Sequence, residues 1–294
     1  CKAWEDDEEV FLVRAIVKHG KATEVALRGG DARPVLQAAI EDDTLALDRN
    51  PRRGSACVHR GLCLSRLAQF EGLHGADPRE TFRRAIADFD RALDLSPEDA
   101  RAWDGRGNAL RDLGEAEGDR GGDPSELSRT AIADYDRAIQ IDPSHANAWA
   151  NRAAAWWSVG KAARCEGGAA RDAYSKAMAD YDEALRRSPA LSFVVCARGL
   201  LRKSQAVNTA AGGGDPLAEL RAAIEDFDRA IQDTPEEPDG YTNRGYTWIT
   251  MGEMEAARGR NPRESYRKGI ADLDEAVKRA PHDAEPCCDR GIGY

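Results

Sequence analysis

Basic charge, aromatic side chains, long apolar runs and glycine-rich ligand motifs are all scarce in this chain of 294 residues. Lys and Arg number 42 against 52 Asp and Glu, a formal charge of −10. A field of that sign repels a phosphate backbone, so no nucleic-acid partner is expected. No apolar stretch approaches the roughly 20 residues that a membrane span needs; segments such as Leu191–Ala197 are among the longest. No membrane span is expected. Aromatics make up only 6%, and Ala, Arg, Asp, Glu and Gly dominate, a composition of exposed helices rather than packed sheets. The Gly-Gly-Asp-Pro segments lack a following Lys-Ser/Thr, so they are turns and not phosphate cradles. No cofactor is expected.

Cysteine is also too sparse to organise the fold. Seven residues, an odd number, are dispersed along a long chain, unlike a small disulfide framework. The chain opens on Cys1 without a Met or a signal-like leader, so it is expected to be processed, truncated or incomplete. The compartment stays open. Crosslinked cysteines would place the protein outside the cell or in the envelope, reduced ones in the cytoplasm.

What is present is self-similarity. Ile86-Ala-Asp-Phe-Asp-Arg-Ala-Leu returns as Ile132-Ala-Asp-Tyr-Asp-Arg-Ala-Ile, again from Met178, Ile224 and Ile270, and in degraded form from Ile40. Successive copies begin 46 residues apart, with no insertion or deletion. Length alone would suggest about two globular domains; a fixed period instead predicts one solenoid over 1–294. Its units run about 8–53, 54–99, 100–145, 146–191, 192–237 and 238–283, with a half unit at 284–294.

Punctuation divides each unit into two helices. Pro51, Pro97, Pro143, Pro189, Pro235 and Pro281 follow the repeated block at one phase. Pro78, Pro124, Pro216 and Pro262 share a second phase, mostly after Gly-Asp. Asp77 with Glu80, and Asp123 with Glu126, predict capping boxes with proline in the first turn. In the second helix Ile86, Phe89 and Leu93 form an apolar stripe; in the first, Trp103, Leu110 and Leu113 do so. Neither stripe closes a core alone, so neighbouring units must stack. The expected fold is all-α: 13 helices in a right-handed superhelix.

These residues resemble the tetratricopeptide repeat, with its W-x2-L-G-x2-Y…A-x3-F…P pattern. Trp149, Arg152, Ala153 and Trp156, then Ala177, Tyr181 and Pro189, follow that order, as do Tyr241, Arg244, Gly245, Trp248, Gly269, Leu273 and Pro281. The resemblance covers essentially the whole chain. It departs from the family in carrying Arg for the motif Leu and about 12 residues beyond the usual 34 or so. The resemblance implies an α-solenoid whose concave face, lined by first helices, binds proteins or peptides. The extra residues are expected to lengthen both helices.

Arg14, Arg60, Arg106, Arg152, Arg198, Arg244 and Arg290 recur at one phase within the apolar stripe. An unpaired charge there is costly, and the repeated acids are the natural partners. These are Asp88 and Asp90, Asp134 and Asp136, Asp180 and Asp182, Asp226 and Asp228, and Asp272 and Asp274. The acids recur as faithfully as the arginines, which favours an internal ladder over a row of guanidiniums waiting for an acidic ligand. On the same reading, removing an Arg should be tolerated better than removing its Asp. Paired carboxylates also serve glycosidases, but five equivalent copies on regular helices do not make one active site. No enzyme is expected. Cys57, His59 and Cys63 match no standard zinc spacing and lack a fourth ligand, so they read as core or groove residues, and no metal is expected.

The concave groove is expected at first-helix positions flanking the stripe: Val58, Leu62, Asp104, Asn108, Ala150, Ala154, Trp157, Cys196, Leu200, Thr242, Tyr246 and Ile249. The Lys, Asn and Arg set of the family's carboxylate clamp is missing there. Two roles therefore stand side by side: an adaptor binding protein segments in the groove, and a structural subunit stacking end to end into a homopolymer or filament. The second rests on ends that lack a polar cap. Phe11 and Val13 look like an interior unit, and the chain stops at Tyr294 in a seventh first helix. Cys1 with Cys287 or Cys288 would supply a junction disulfide. Protein partners, including other copies of the chain, are the expected ones.

Overall fold

Glycine and proline decide where each helix stops. A computed structural model describes residues 7–163 and 168–280, and every regular element among them is α-helical. First helices are α1 (Glu8–Leu27), α3 (Gly54–Leu73), α5 (Ala100–Gly118), α7 (Ala146–Ala162), α9 (Ser192–Ala211) and α11 (Pro238–Ala257). Second helices are α2 (Arg33–Arg49), α4 (Arg79–Leu95), α6 (Ser125–Ile141), α8 (Gly168–Arg187), α10 (Leu217–Asp233) and α12 (Arg263–Arg279). All the first helices begin, and all the second helices end, 46 residues after the one before. The thirteenth helix, expected over 284–294, lies outside the described residues.

Between the helices of a hairpin the chain turns on a left-handed glycine. Gly29, Gly75, Gly121, Gly213 and Gly259 all have φ between 68° and 84°, a region that side chains with a Cβ rarely enter. The next residue's N–H then reaches back five positions, as from Ala76 to the Glu71 carbonyl at 2.8 Å, closing the helix in a Schellman turn. The following helix starts on an Asp-Pro or Asn-Pro step in most hairpins. Asp31, Asp77, Asp123, Asp215 and Asn261 each accept from the backbone N–H two residues on, at 2.9–3.2 Å. This corrects the expected capping box: the aspartate does the capping, while Glu80 sits exposed beside Arg83.

The chain forms two compact units, Cys1–Ala170 and Arg171–Tyr294. In the first, α1 pairs with α2, α3 with α4 and α5 with α6, and each second helix packs on the next first helix. The core holds Leu36, Leu64, Phe82 and Phe89, with Phe11 buried among them. Phe89 is wedged where α3 and α5 present only glycine: a Cβ on Gly61 or Gly105 would come within 2.9 or 2.5 Å of its ring. In the second unit α9 pairs with α10 and α11 with α12, around Leu217, Leu220, Ile224 and Met251. There Phe227 lies against Gly199 in the same way. Aromatic on glycine is thus how consecutive helices approach closely enough to share one narrow stripe.

Candidate functional site

The repeated arginines reach their positions from the second turns of first helices, where Phe11, Trp103, Trp149 or Tyr241 often precedes them by three residues. Trp103 donates its indole N–H to the Pro97 carbonyl at 2.8 Å, sealing the proline turn, and the Arg106 guanidinium stacks 4.7 Å from its ring centroid. From there Arg106 forks onto Asp134 of its own hairpin with Nε and Nη2, at 2.8 and 2.7 Å. Its Nη1 donates to Asp90 of the preceding hairpin at 2.6 Å. One side chain thus ties three helices, with the bidentate geometry that suits guanidinium and carboxylate.

The pattern recurs through the first unit. Arg60 forks onto Asp88 at 2.7 and 2.6 Å and meets Thr44 where later units have an acid. Arg14 pairs with Asp42 at 2.9 Å, and Arg152 with Asp136 at 2.6 Å. In the second unit Arg198 joins Asp226 and Asp182, and Arg244 joins Asp272 and Asp228. Asp180 is buried and Asp274 half-buried. Arg290 lies outside the described residues. Asp42 was missed from sequence because the first copy of the block is degraded there. Arg202 adds a second cation to Asp226 at 2.9 Å. Hydrogen bonding to Asp134 and to Asp272 is the largest influence raising Arg106 and Arg244 above the ordinary guanidinium value. These guanidiniums already have carboxylate partners.

Several expected groove residues are not open. Val58 and Ala150 are buried, so they belong to the packing between helices and line no groove. Asp104 and Asn108 instead anchor a polar network: Tyr135 Oη donates to Asn108 Oδ1, and Asn151 Nδ2 to Asp104 Oδ1, both at 2.9 Å. His145 stands 3.7 Å from Asp104, which raises its pKa. Leu62 is exposed, and Ala154 and Trp157 are half-buried, with Lys161 over the Trp157 ring. In the second unit Leu200, Thr242, Tyr246 and Ile249 are half-buried; Lys203 lies 5.5 Å from the Tyr246 centroid. Burial pushes the Cys196 thiol up to about 11, away from thiolate character.

A second constellation sits where α1, α2 and α3 meet. His19 Nδ1 lies 3.4 Å from His59 Nε2. His59 Nδ1 pairs with Asp43 Oδ2 at 2.7 Å, and Cys63 Sγ lies 3.9 Å from that same nitrogen. Burial, then His59 and Arg66, lower the pKa of His19. Burial raises Asp43 against the opposing pull of His59, and pushes the Cys63 thiol above its usual range. Cys57 is buried elsewhere on α3, so the sequence grouping of Cys57 with His59 and Cys63 is replaced by one that draws His19 from another helix. Cys1, Cys287, Cys288 and Tyr294 lie outside the described residues. Phe11, read from sequence as an end-face residue, is a core residue; Val13 is exposed.

No protein-family model matches the sequence, and no curated protein does either. Solved structures do resemble the fold. A thermophilic TPR protein of Thermus thermophilus, TTC0263, aligns at 17% identity and TM-score 0.53, over 79% of this chain and 98% of its own. IFIT1, as a monomeric mutant with Gppp-AAAA, aligns at 15% identity and TM-score 0.50, over 93% of this chain and 54% of its own. YrrB, described as a TPR protein with an unusual peptide-binding site, gives 14% identity and TM-score 0.47, over 85% and 97%. Identities this low speak for fold alone. Paired helices, glycine and proline punctuation and the likeness to TTC0263 lead to one conclusion: this all-α chain has the tetratricopeptide-repeat fold.

Proposed function

We propose that the protein is a non-catalytic scaffold that works by packing helix faces against protein partners, and that it stacks on further copies of itself through α1. The observation that carries this is the outer stripe of α1. Val13, Ile16 and Val17 are 56, 51 and 65% exposed. One and two periods after Val17 stand Cys63 and Ala109, both fully buried on first helices that a preceding second helix packs against. Among the described residues nothing covers the α1 stripe, while interior helices bury the position of Val17. Within the chain that cover is a preceding second helix, so a second-helix face of another copy is the partner this reading commits to. Contacts that join unlike faces and do not close generate filaments.

Covering each of these side chains is worth on the order of 1 kcal/mol, before association costs. One junction is weak, so assembly should depend steeply on concentration. Replacing Val13 and Val17 together with Glu is expected to abolish self-association in sedimentation velocity while leaving the helical circular-dichroism signal intact, because both positions are exposed. A wild-type chain that sediments as a monomer across the accessible concentration range would overturn the stacking reading. The adaptor reading would then take its place, supported by the half-buried Leu200, Tyr246 and Ile249 on the first helices of the second unit.

A further inference from the structure

The repeat supplies its own control for the α1–α3 constellation. At the phase of Asp43, the next four units carry Phe89, Tyr135, Tyr181 and Phe227, all buried aromatics. At the phase of His59 stand Gly105, Asn151, Ala197 and Asn243; a Cβ on Gly105 would already collide with Phe89 at 2.5 Å. The junction of the first two repeats has exchanged both partners at once: a carboxylate on α2 for the aromatic, and an imidazole on α3 for the residue beneath it. His19 occupies the phase of Ser65, Arg111, Trp157, Lys203 and Ile249, and Cys63 the phase of Ala109, Ala155, Leu201 and Thr247. No later junction between repeats combines a carboxylate, two imidazoles and a thiol at these positions.

Packing does not account for this. Asp43 is fully buried, and its Oδ1 has no hydrogen-bond partner. A buried polar pair of this kind is commonly no more stable than the well-packed apolar pair it replaces. Breaking a rule that the rest of the chain obeys is the mark of a site.

We propose that His19 Nδ1, His59 Nε2 and Cys63 Sγ form a binding site for a borderline divalent cation, with zinc the best fit, and that Asp43 orients the His59 ring from behind. One ligand atom from each of His19, His59 and Cys63 lies within 4.8 Å of the other two. Nitrogens about 2.0–2.1 Å from a tetrahedral zinc stand roughly 3.3–3.4 Å apart, and the two imidazole nitrogens here are 3.4 Å apart. His59 and Cys63, four residues apart on α3, project from one helix face. The sulfur must swing from its 3.9 Å contact with His59 Nδ1, the nitrogen held by Asp43, toward Nε2, since a tetrahedral N···S edge is about 3.6 Å. The 2.7 Å contact between Asp43 Oδ2 and His59 Nδ1 favours the Nδ1–H tautomer, in which Nε2 keeps the free lone pair, and supplies the carboxylate–histidine pairing typical behind a zinc ligand. Two imidazoles and a thiolate select zinc or cobalt over magnesium or calcium, which prefer oxygen. Three protein ligands leave a fourth position for water or for a donor from a bound partner.

The test is cobalt titration of the full-length chain, stripped with chelator and kept reduced, followed by displacement with zinc. One equivalent should give the visible bands of tetrahedral Co2+ together with a near-ultraviolet thiolate charge-transfer band. Cys63→Ala should remove the thiolate band, and His19→Ser should weaken binding at least about tenfold. Both variants should fold, because alanine stands at 109 and 155 and serine at 65 in the same phase. Asp43→Asn should lower affinity about 10–100-fold while keeping the tetrahedral spectrum, the signature of an orienting group. Cys57→Ser should change nothing. If the chain binds no cobalt, or if binding survives unchanged in Cys63→Ala and His19→Ser, the site does not exist.

Discussion

Replacing Arg106 with Met is expected to lower stability by about 3–5 kcal/mol, the cost of leaving a buried charge without its partner. The deeper member of the pair is the aspartate. Side-chain exposure is 4% for Asp134, 21% for Arg106 and 52% for Asp90. Methionine fills most of the arginine stem but leaves the buried Asp134 carboxylate without its cation. Asp134→Ala leaves the guanidinium on Asp90, nearer water, and should cost less; Asp90→Ala, at a half-exposed rim, should cost about 1 kcal/mol or less. This order reverses the one that the apolar-stripe reading predicts, because that reading placed the arginine in the interior and the acids on its flanks. Urea-induced unfolding of the three variants checks it, and a smaller deficit for Arg106→Met than for Asp134→Ala would return the original order.

The same variant carries a pH signature. Burial already holds the Asp134 carboxyl above its ordinary value, against the pull of Arg106. The native state therefore binds that proton more tightly than the unfolded chain does. Stability from such a group is complete below the ordinary carboxylate range and falls as pH rises through the raised value. Without Arg106 the value climbs further, so the deficit of Arg106→Met should be smallest in acid and grow toward neutral pH. A deficit independent of pH would mean that the loss is packing, not charge.

The second large effect is expected at Phe89. Its ring is fully buried between Gly61 and Gly105, and Phe89→Ala should cost about 3–5 kcal/mol, since rigid helices on both sides cannot collapse into the space. The reciprocal change, Gly105→Ala, puts a methyl 2.5 Å from the ring and must displace it or the helix; overpacking of this sort costs about 1–3 kcal/mol. The pair tests whether consecutive hairpins are coupled by this aromatic wedge. Combining both changes should cost less than their sum, because removing the ring relieves the clash. Strict additivity would show that the two positions do not share the contact.

The helices and their spacing were legible because their causes are local. Prolines at a fixed phase, a glycine that alone tolerates positive φ, and a stripe with helical period need no tertiary information. The need for charge pairing was legible from chemistry, since arginines within an apolar stripe demand acids. Which acid lies deep was not. Asp134 and Asp136 flank the same stripe, and only the approach of α5 against α6 puts one between helices and leaves the other half-exposed. Phe11 and Val13, two residues apart on α1, likewise divide between core and solvent according to where α2 and α3 pack.

The cation site shows the same division most sharply. From sequence, His59 and Cys63 stood with Cys57 because they were near in the chain, and the spacing fitted no ligand pattern. The missing nitrogen comes from His19, 40 residues upstream, and no spacing rule spans a helix, a turn and another helix. One signal was available: aligning the repeats puts Asp43 where every later unit through Phe227 has an aromatic ring. By itself the sequence determined the period, the all-α hairpins, their turns and the residue types that must pair. Tertiary packing alone decided which of those residues are buried, which helix supplies the third ligand atom, and which stripe of α1 is left uncovered. The reason is that helix periodicity sets a residue's angle about its own axis, whereas burial depends on what other helices lie at that angle.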